Sequence, residues 1–246
     1  MKKRLRWLLG LLLAAVLFLW AFSWGLGIWT IDWDKPTPFM EGDVEKISYV
    51  DGKLVANLNQ YRIDYLSIDE MPPHLVKAFV AIEDHRFYNH GGIDLFGLGR
   101  AVLVNVRTRD IAQGGSSITQ QLARNLFLNL DQKMVRKLAE MSIALQLERK
   151  YDKDEILEMY INQVNFGAGN WGVSKAAAAY FDKSVDDLTI GESALLAGLV
   201  QAPNYYAPVK DWDRAITRQR YVLNRMVEYG YITSEEAAAE VYQGQN

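Results

Sequence analysis

Ala81-Ile82-Glu83-Asp84-His85-Arg86-Phe87-Tyr88-Asn89-His90-Gly91-Gly92 is the stretch on which the reading of this chain turns. Pro72 and Pro73 open a helical run before it, with apolar positions at Leu75, Phe79 and Ile82. Two adjacent carboxylates, Glu83 and Asp84, then break the pattern. On a continuing helix, Glu83 and Phe87 share a face, and His90 falls on it too. Gly91-Gly92 is a stop signal. A carboxylate beside Ile82 and Phe87 is partly desolvated, which moves its pKa upward toward the range useful to a general base. The competing reading is a solvated helix end with Glu83 paired to Arg86 or Lys77.

Downstream, Gln113-Gly114-Gly115-Ser116-Ser117-Ile118-Thr119-Gln120-Gln121-Leu122-Ala123-Arg124-Asn125 combines a glycine turn with Ser117 and Gln120 at capping-box spacing. A helix start offers backbone N–H groups and a positive dipole end, which suit phosphate. Arg124 lies two turns along the same side. A well-capped structural helix explains the same residues equally well. Arg136 and Glu140, four apart, can face one pocket or form a surface ion pair. Met134, Leu138, Met141 and Leu145 read as the core stripe of that helix. Glu148, beside Arg149 and Lys150, reads as a surface residue. Asp152 with Glu155, Thr189 with Glu192, and Thr233 with Glu236 predict further capping boxes. The loop Asn165 to Gly172 reads as a helix connection or a sugar-lining loop. The last helices read as scaffold. The three histidines, His74, His85 and His90, have no metal-ligand spacing.

Upstream, Lys2, Lys3, Arg4 and Arg6 precede an uncharged run from Trp7 to Trp29. At about 1.5 Å per residue, that run is long enough to span a hydrocarbon core of about 30 Å. The basic flank predicts a cytoplasmic tail (residues 1–6), an uncleaved anchor (7–29) and everything after it outside the cytoplasm. Residues 30–69 read as a linker. It contains a small hairpin, Ile47 to Val50 and Lys53 to Val55, turning on Asp51-Gly52. Residues 70–246 read as one mainly α domain. The formal net charge of −3 argues against a nucleic-acid partner. The absence of cysteine excludes disulfide and thiol chemistry.

A base, a phosphate-ready helix, arginines, a second carboxylate and an anchor suit sugar transfer from a lipid pyrophosphate. Cationic side chains would neutralise the leaving group while a carboxylate deprotonates the acceptor hydroxyl from the far side. Five motifs in order resemble the peptidoglycan glycosyltransferases. They are Glu83-Asp84-x-x-Phe87-x-x-His90-x-Gly92, Gly114 to Asn125, Arg136-Lys137-x-x-Glu140, Ile156-Leu157-Glu158-x-Tyr160-Ile161-Asn162, and Arg218-x-x-x-Val222-Leu223. This is the lysozyme-like domain of class A penicillin-binding proteins and of monofunctional biosynthetic transglycosylases. The resemblance implies polymerisation of lipid II into β-1,4 glycan, in a lysozyme-like domain with a smaller membrane-facing lobe.

The resemblance implies Glu83 as the base on the acceptor 4-hydroxyl and Glu140 as the second essential carboxylate. It implies substrate binding by Asp84, Phe87, His90, Ser116, Ser117, Thr119, Gln120, Gln121, Arg124, Asn125, Arg136 and Lys137. A divalent cation, Mg or Mn, is compatible with it, without identified ligands. The implied partners are lipid II, the growing strand, the inner membrane and proteins of cell-wall synthesis or division. Ser117 stands where the family usually has Thr, and Arg124 where Lys is common. Both keep the hydroxyl or the charge, although Arg presents phosphate with a different geometry. No transpeptidase motif Ser-x-x-Lys occurs, which favours the monofunctional type. Two other classes stay open. A lytic enzyme on the same fold has no use for Arg124 and Arg136, and a glycan-binding scaffold does not need Glu83 and Glu140 together.

Overall fold

The computed structural model describes residues 44–50, 52–58, 64–99, 115–127 and 133–241. The expected tail, the anchor at 7–29 and half of the linker lie outside the described residues. Among the described residues no helix is long and apolar enough to cross a membrane.

The fold is mainly helical. One antiparallel hairpin, β1 (Val44–Val50) and β2 (Lys53–Leu58), pairs Val50 with Lys53 and Tyr49 with Leu54. Gly52 turns it at φ +80°, a left-handed conformation that the Asp-Gly pair predicts. The hairpin is fastened to the helical body. Leu54 is fully buried, its carbonyl accepts from Gln163 Nε2 at 2.7 Å, and Lys53 pairs with Glu155.

The helices are α1 (Pro73–Glu83), α2 (Ile118–Phe127), α3 (Lys133–Lys150), α4 (Lys153–Gln163), α5 (Val173–Phe181), α6 (Ile190–Leu199), α7 (Pro203–Tyr206), α8 (Trp212–Glu228) and α9 (Ser234–Ala239). α4 is the central strut. Every residue from Ile156 to Gln163 is buried, the pattern of a helix enclosed on all sides. Its buried polar groups are satisfied. Glu158 accepts from Tyr65 at 2.9 Å and from the Ile68 amide at 2.8 Å, and Asn162 bonds both the amide and the carbonyl of Leu66. Phe79 of α1 sits edge-on to Tyr160 and Phe166, joining α1 to this strut. α6 packs between α1 and α8, while α2 packs on α3 and α4.

The predicted capping boxes at Asp152, Thr189 and Thr233 are present, each with its Glu partner. The core stripe of α3 is rotated from the expected one. Ala139, Glu140, Ile143 and Leu147 are buried, whereas Leu138, Met141 and Leu145 are only half-buried. Both sets have helical spacing, so periodicity alone does not choose between them. Packing on α2 does, because it turns Glu140 inward, where Lys137 and Arg136 of the same helix pair with it. Asn165 to Gly172 is a structural connection. It closes on itself by a bridge between Asn165 and Trp171, and Tyr180 Oη donates to the carbonyl of Phe166 at 2.9 Å. It is not among the residues that line the cleft described below.

Gly191 is required by close approach. A Cβ there would lie 2.0 Å from the carbonyl oxygen of Glu240, whose segment follows α9. Gly191→Ala is expected to cost about 1–3 kcal/mol in thermal or denaturant unfolding, through displacement of that segment.

Candidate active site

α1 ends at Glu83, with three residues between it and Phe87. Asp84 leaves the helix at φ −159°, and Phe87–Asn89 forms a separate 3-10 turn. Long-range bonds explain the stop. The buried Asp84 carboxylate accepts from His90 Nε2 at 2.9 Å and from the Ile118 amide at 3.2 Å, so it caps α2 from a distant segment. The shared helical face of Glu83, Phe87 and His90 is therefore not formed. Phe87 is fully buried in the core, with Lys153 Nζ 4.3 Å from its ring centre.

Glu83 is freed by this break to face a cleft of about 520 Å³. Among the described residues its walls include Glu83, Asp84, Asp94, Ser116, Ser117, Gln121, Arg124, Gln201, Arg218, Tyr221 and Arg225. Glu83 Oε2 accepts from Gln121 Nε2 at 2.8 Å, and Gln121 Oε1 accepts from Tyr160 Oη at 3.0 Å. This relay fixes the Gln121 amide so that its N–H group points at the carboxylate. The surrounding protein raises the Glu83 pKa by desolvation. The Gln121 hydrogen bond and the charges of Arg218 and Arg124 oppose the rise without cancelling it. Arg86, a predicted alternative partner, lies instead 3.6 Å from Asp94 and over the Phe96 ring. Lys77 is exposed.

The start of α2 is tied down on several sides. Ser117 Oγ donates to the carbonyl of Gly92, the Ser117 amide donates to Gln120 Oε1, and the Gln120 amide donates to Ser117 Oγ. The capping box read from the sequence is thus present. With Asp84 it engages most of the amides expected to bind phosphate. The amides of Ile118, Gln120 and Gln121 are all engaged within the protein. Anion recognition at this end falls to side chains. Thr119 is fully buried and points away, donating to Glu148 Oε1 at 2.5 Å. Glu148 also takes Lys153 Nζ at 2.8 Å, so it is a buttress rather than a loose surface group.

Glu140 is buried. One oxygen accepts from Lys137 Nζ at 2.9 Å, and the other lies 3.5 Å from Arg136 Nε. Lys137 bonds Ser116 Oγ at 2.7 Å and Gln120 Oε1 at 3.3 Å. Arg136, Lys137 and Glu140 therefore stand behind the Ser116 edge of the cleft and connect to it through that hydroxyl. Arg124 is on the cleft wall and makes no ion pair among the described residues. Asn125 is half-buried on α2 and is not among the cleft-lining residues.

The far wall belongs to α8. Arg218, singled out in the sequence only as part of a motif, lines the cleft with Tyr221 and Arg225. The last helices are therefore not scaffold alone. Arg218 Nε donates to the Gly198 carbonyl at 3.2 Å, and burial draws its pKa below the usual arginine value. The cleft thus sets one partly desolvated carboxylate among arginines from two helices. That arrangement suits proton abstraction next to an anionic leaving group.

A family model described as Transglycosylase matches residues 51–227. Penicillin-binding protein 1A of Escherichia coli is 44% identical over 191 residues, which are 78% of this chain and 22% of that protein. Penicillin-binding protein 1A of Aquifex aeolicus is 46% identical over 185 residues, 75% of this chain and 26% of that one. Penicillin-binding protein 1F of Bacillus subtilis is 44% identical over 192 residues, 78% of this chain and 27% of that one. This chain spans about a quarter of the length of these relatives. The matched segment runs from the hairpin turn to the end of α8 and includes both walls of the cleft, so the chain belongs to the transglycosylase family.

Proposed function

We propose that this chain polymerises lipid II into β-1,4-linked glycan by inverting transfer, with Glu83 as the general base. The observation that carries this reading is Glu83 itself, held by Gln121 on the cleft wall with its pKa raised by desolvation. In the proposed step, Glu83 takes the proton from the acceptor 4-hydroxyl. That oxygen bonds to the donor's anomeric carbon as the bond to pyrophosphate breaks on the opposite face. Arg124 and Arg218 lie within electrostatic reach of Glu83 and suit the charge that develops on the departing pyrophosphate. Glu140 acts on Lys137 and Arg136, holding both cations toward the Ser116 edge.

A Mg or Mn ion is not built in by these residues. Among the described residues no three acidic, histidine or cysteine groups converge, and both oxygens of Glu140 face cations. Such an ion would draw most of its ligands from pyrophosphate and water.

The same reading places the chain at the outer face of the cytoplasmic membrane, in a lysozyme-like domain with a small membrane-facing lobe. Its support is a helical segment at residues 95–99, where Leu95 is 70% and Phe96 75% exposed while Asp94 and Gly97 line the cleft. The double variant Leu95→Ser, Phe96→Ser is expected to lose about 5- to 10-fold in turnover on lipid II in vesicles, and much less in detergent micelles.

The test is product analysis with purified protein. Labelled lipid II should give long polymer that a β-1,4 muramidase digests, and preformed glycan should stay intact. Shortened glycan without polymer would replace this reading with the lytic one.

A further inference from the structure

Four residues of α8 fall on one face: Arg214, Arg218, Tyr221 and Arg225, spaced four, three and four apart. Arg218, Tyr221 and Arg225 line the cleft. Arg214 continues the same stripe one turn beyond it. The stripe covers about 16 Å of helix. Tyr205 of α7 lies against its outer end. The Arg214 guanidinium stacks 4.0 Å from the Tyr205 ring centre, and its Nη1 donates to the Tyr205 carbonyl at 3.3 Å. Arg218 lies 5.0 Å from the Tyr221 ring. Asp211 pairs with Arg214 at 3.0 Å and fixes it from the other side.

Each tyrosine therefore has one face occupied by an arginine, yet Tyr205 is 54% and Tyr221 48% exposed. Their open faces are held in place by stacking rather than by burial. An immobilised aromatic face is a platform for the apolar C–H face of a sugar ring, at low entropic cost. The neighbouring guanidinium groups donate to hydroxyl and carbonyl oxygens along the ring edges. The strip begins at the cleft wall and leads outward.

We propose that Tyr205 and Tyr221, with Arg214, form a binding track for the glycan strand that leads outward from the reacting sugars. This inference rests on the reading of the cleft as a polymerising site. The track slows release of the strand between additions, so it sets product length more than initial rate. The ligand class is a β-1,4-linked N-acetylhexosamine chain, and acidic substituents on it would be favoured by the arginines.

The test uses the full chain in detergent with labelled lipid II, and separately with lipid-free β-1,4 glycan fragments. Tyr205→Ala should keep the wild-type initial rate of lipid II consumption while releasing strands about 5- to 10-fold sooner, giving shorter polymer. Tyr205→Trp should keep the long products. In the fragment arm, Tyr205→Ala should bind about 5- to 10-fold more weakly than wild type. Unchanged product length with unchanged fragment affinity would overturn the track. If wild type makes no polymer, the functional reading fails instead, and fragment affinity alone decides: loss in Tyr205→Ala keeps the track and equality removes it.

Discussion

Glu83→Gln is expected to cut lipid II turnover by about 10²- to 10⁴-fold, the range a positioned general base contributes, while the protein stays folded. The substitution keeps the shape of the side chain and a hydrogen bond to Gln121, so the cleft should persist. Stability should move the opposite way from activity. Desolvation raises the Glu83 pKa above its ordinary value near 4.5. Between that value and the raised one, the folded chain holds a proton that the unfolded chain has lost. Wild-type stability therefore falls as pH rises through this window, and the deficit persists above it. Gln carries no such penalty. Glu83→Gln should unfold at a higher temperature than wild type at neutral pH, and the two should converge below about pH 4.5. In wild type the acid limb of kcat/KM should lie above the ordinary carboxylate range. An acid limb at the value of an exposed glutamate would contradict the desolvated base.

Asp84→Ala should inactivate by a different route. Asp84 is buried, and its Oδ2 serves both His90 and the first amide of α2. Removing it uncaps α2 and leaves the His90 Nε2 atom without that partner in the interior. The combined cost is about 2–4 kcal/mol, from loss of a cap plus burial of an unsatisfied polar group. Ser116, Ser117 and Gln121 all hang on that end of α2, so turnover should fall with the melting temperature. Asp84→Asn keeps one acceptor and should fall between wild type and Asp84→Ala in both measurements. Two neighbouring carboxylates are thereby separated: one substitution removes activity from a sound fold, the other removes the fold's hold on the site. Parallel loss of stability in Glu83→Gln would erase the distinction.

Much of this was legible in the residues because the determinants are local. The Asp-Gly turn and the four Ser, Asp or Thr capping boxes each lie within a few positions of the group they control. What was not legible depends on partners far along the chain. The end of α1 is set by an amide 34 positions away, at Ile118. The inward face of α3 is chosen by α2, since Leu138 and Ala139 both fit a helical stripe. The amides of α2 looked free for phosphate because Asp84 is remote in sequence. Arg214, Arg218, Tyr221 and Arg225 have the spacing of an ordinary solvated helix face. Only the packing of α8 against α1 and α6 turns part of that face into a cleft wall.

The most direct measurement is a time course of polymerisation of labelled lipid II by wild type and Glu83→Gln, followed across pH and resolved by product length. The account predicts a ladder of long β-1,4 glycan from wild type, with an acid limb above the ordinary glutamate value, and no ladder from Glu83→Gln at any pH. A ladder from Glu83→Gln with the wild-type pH profile would contradict it.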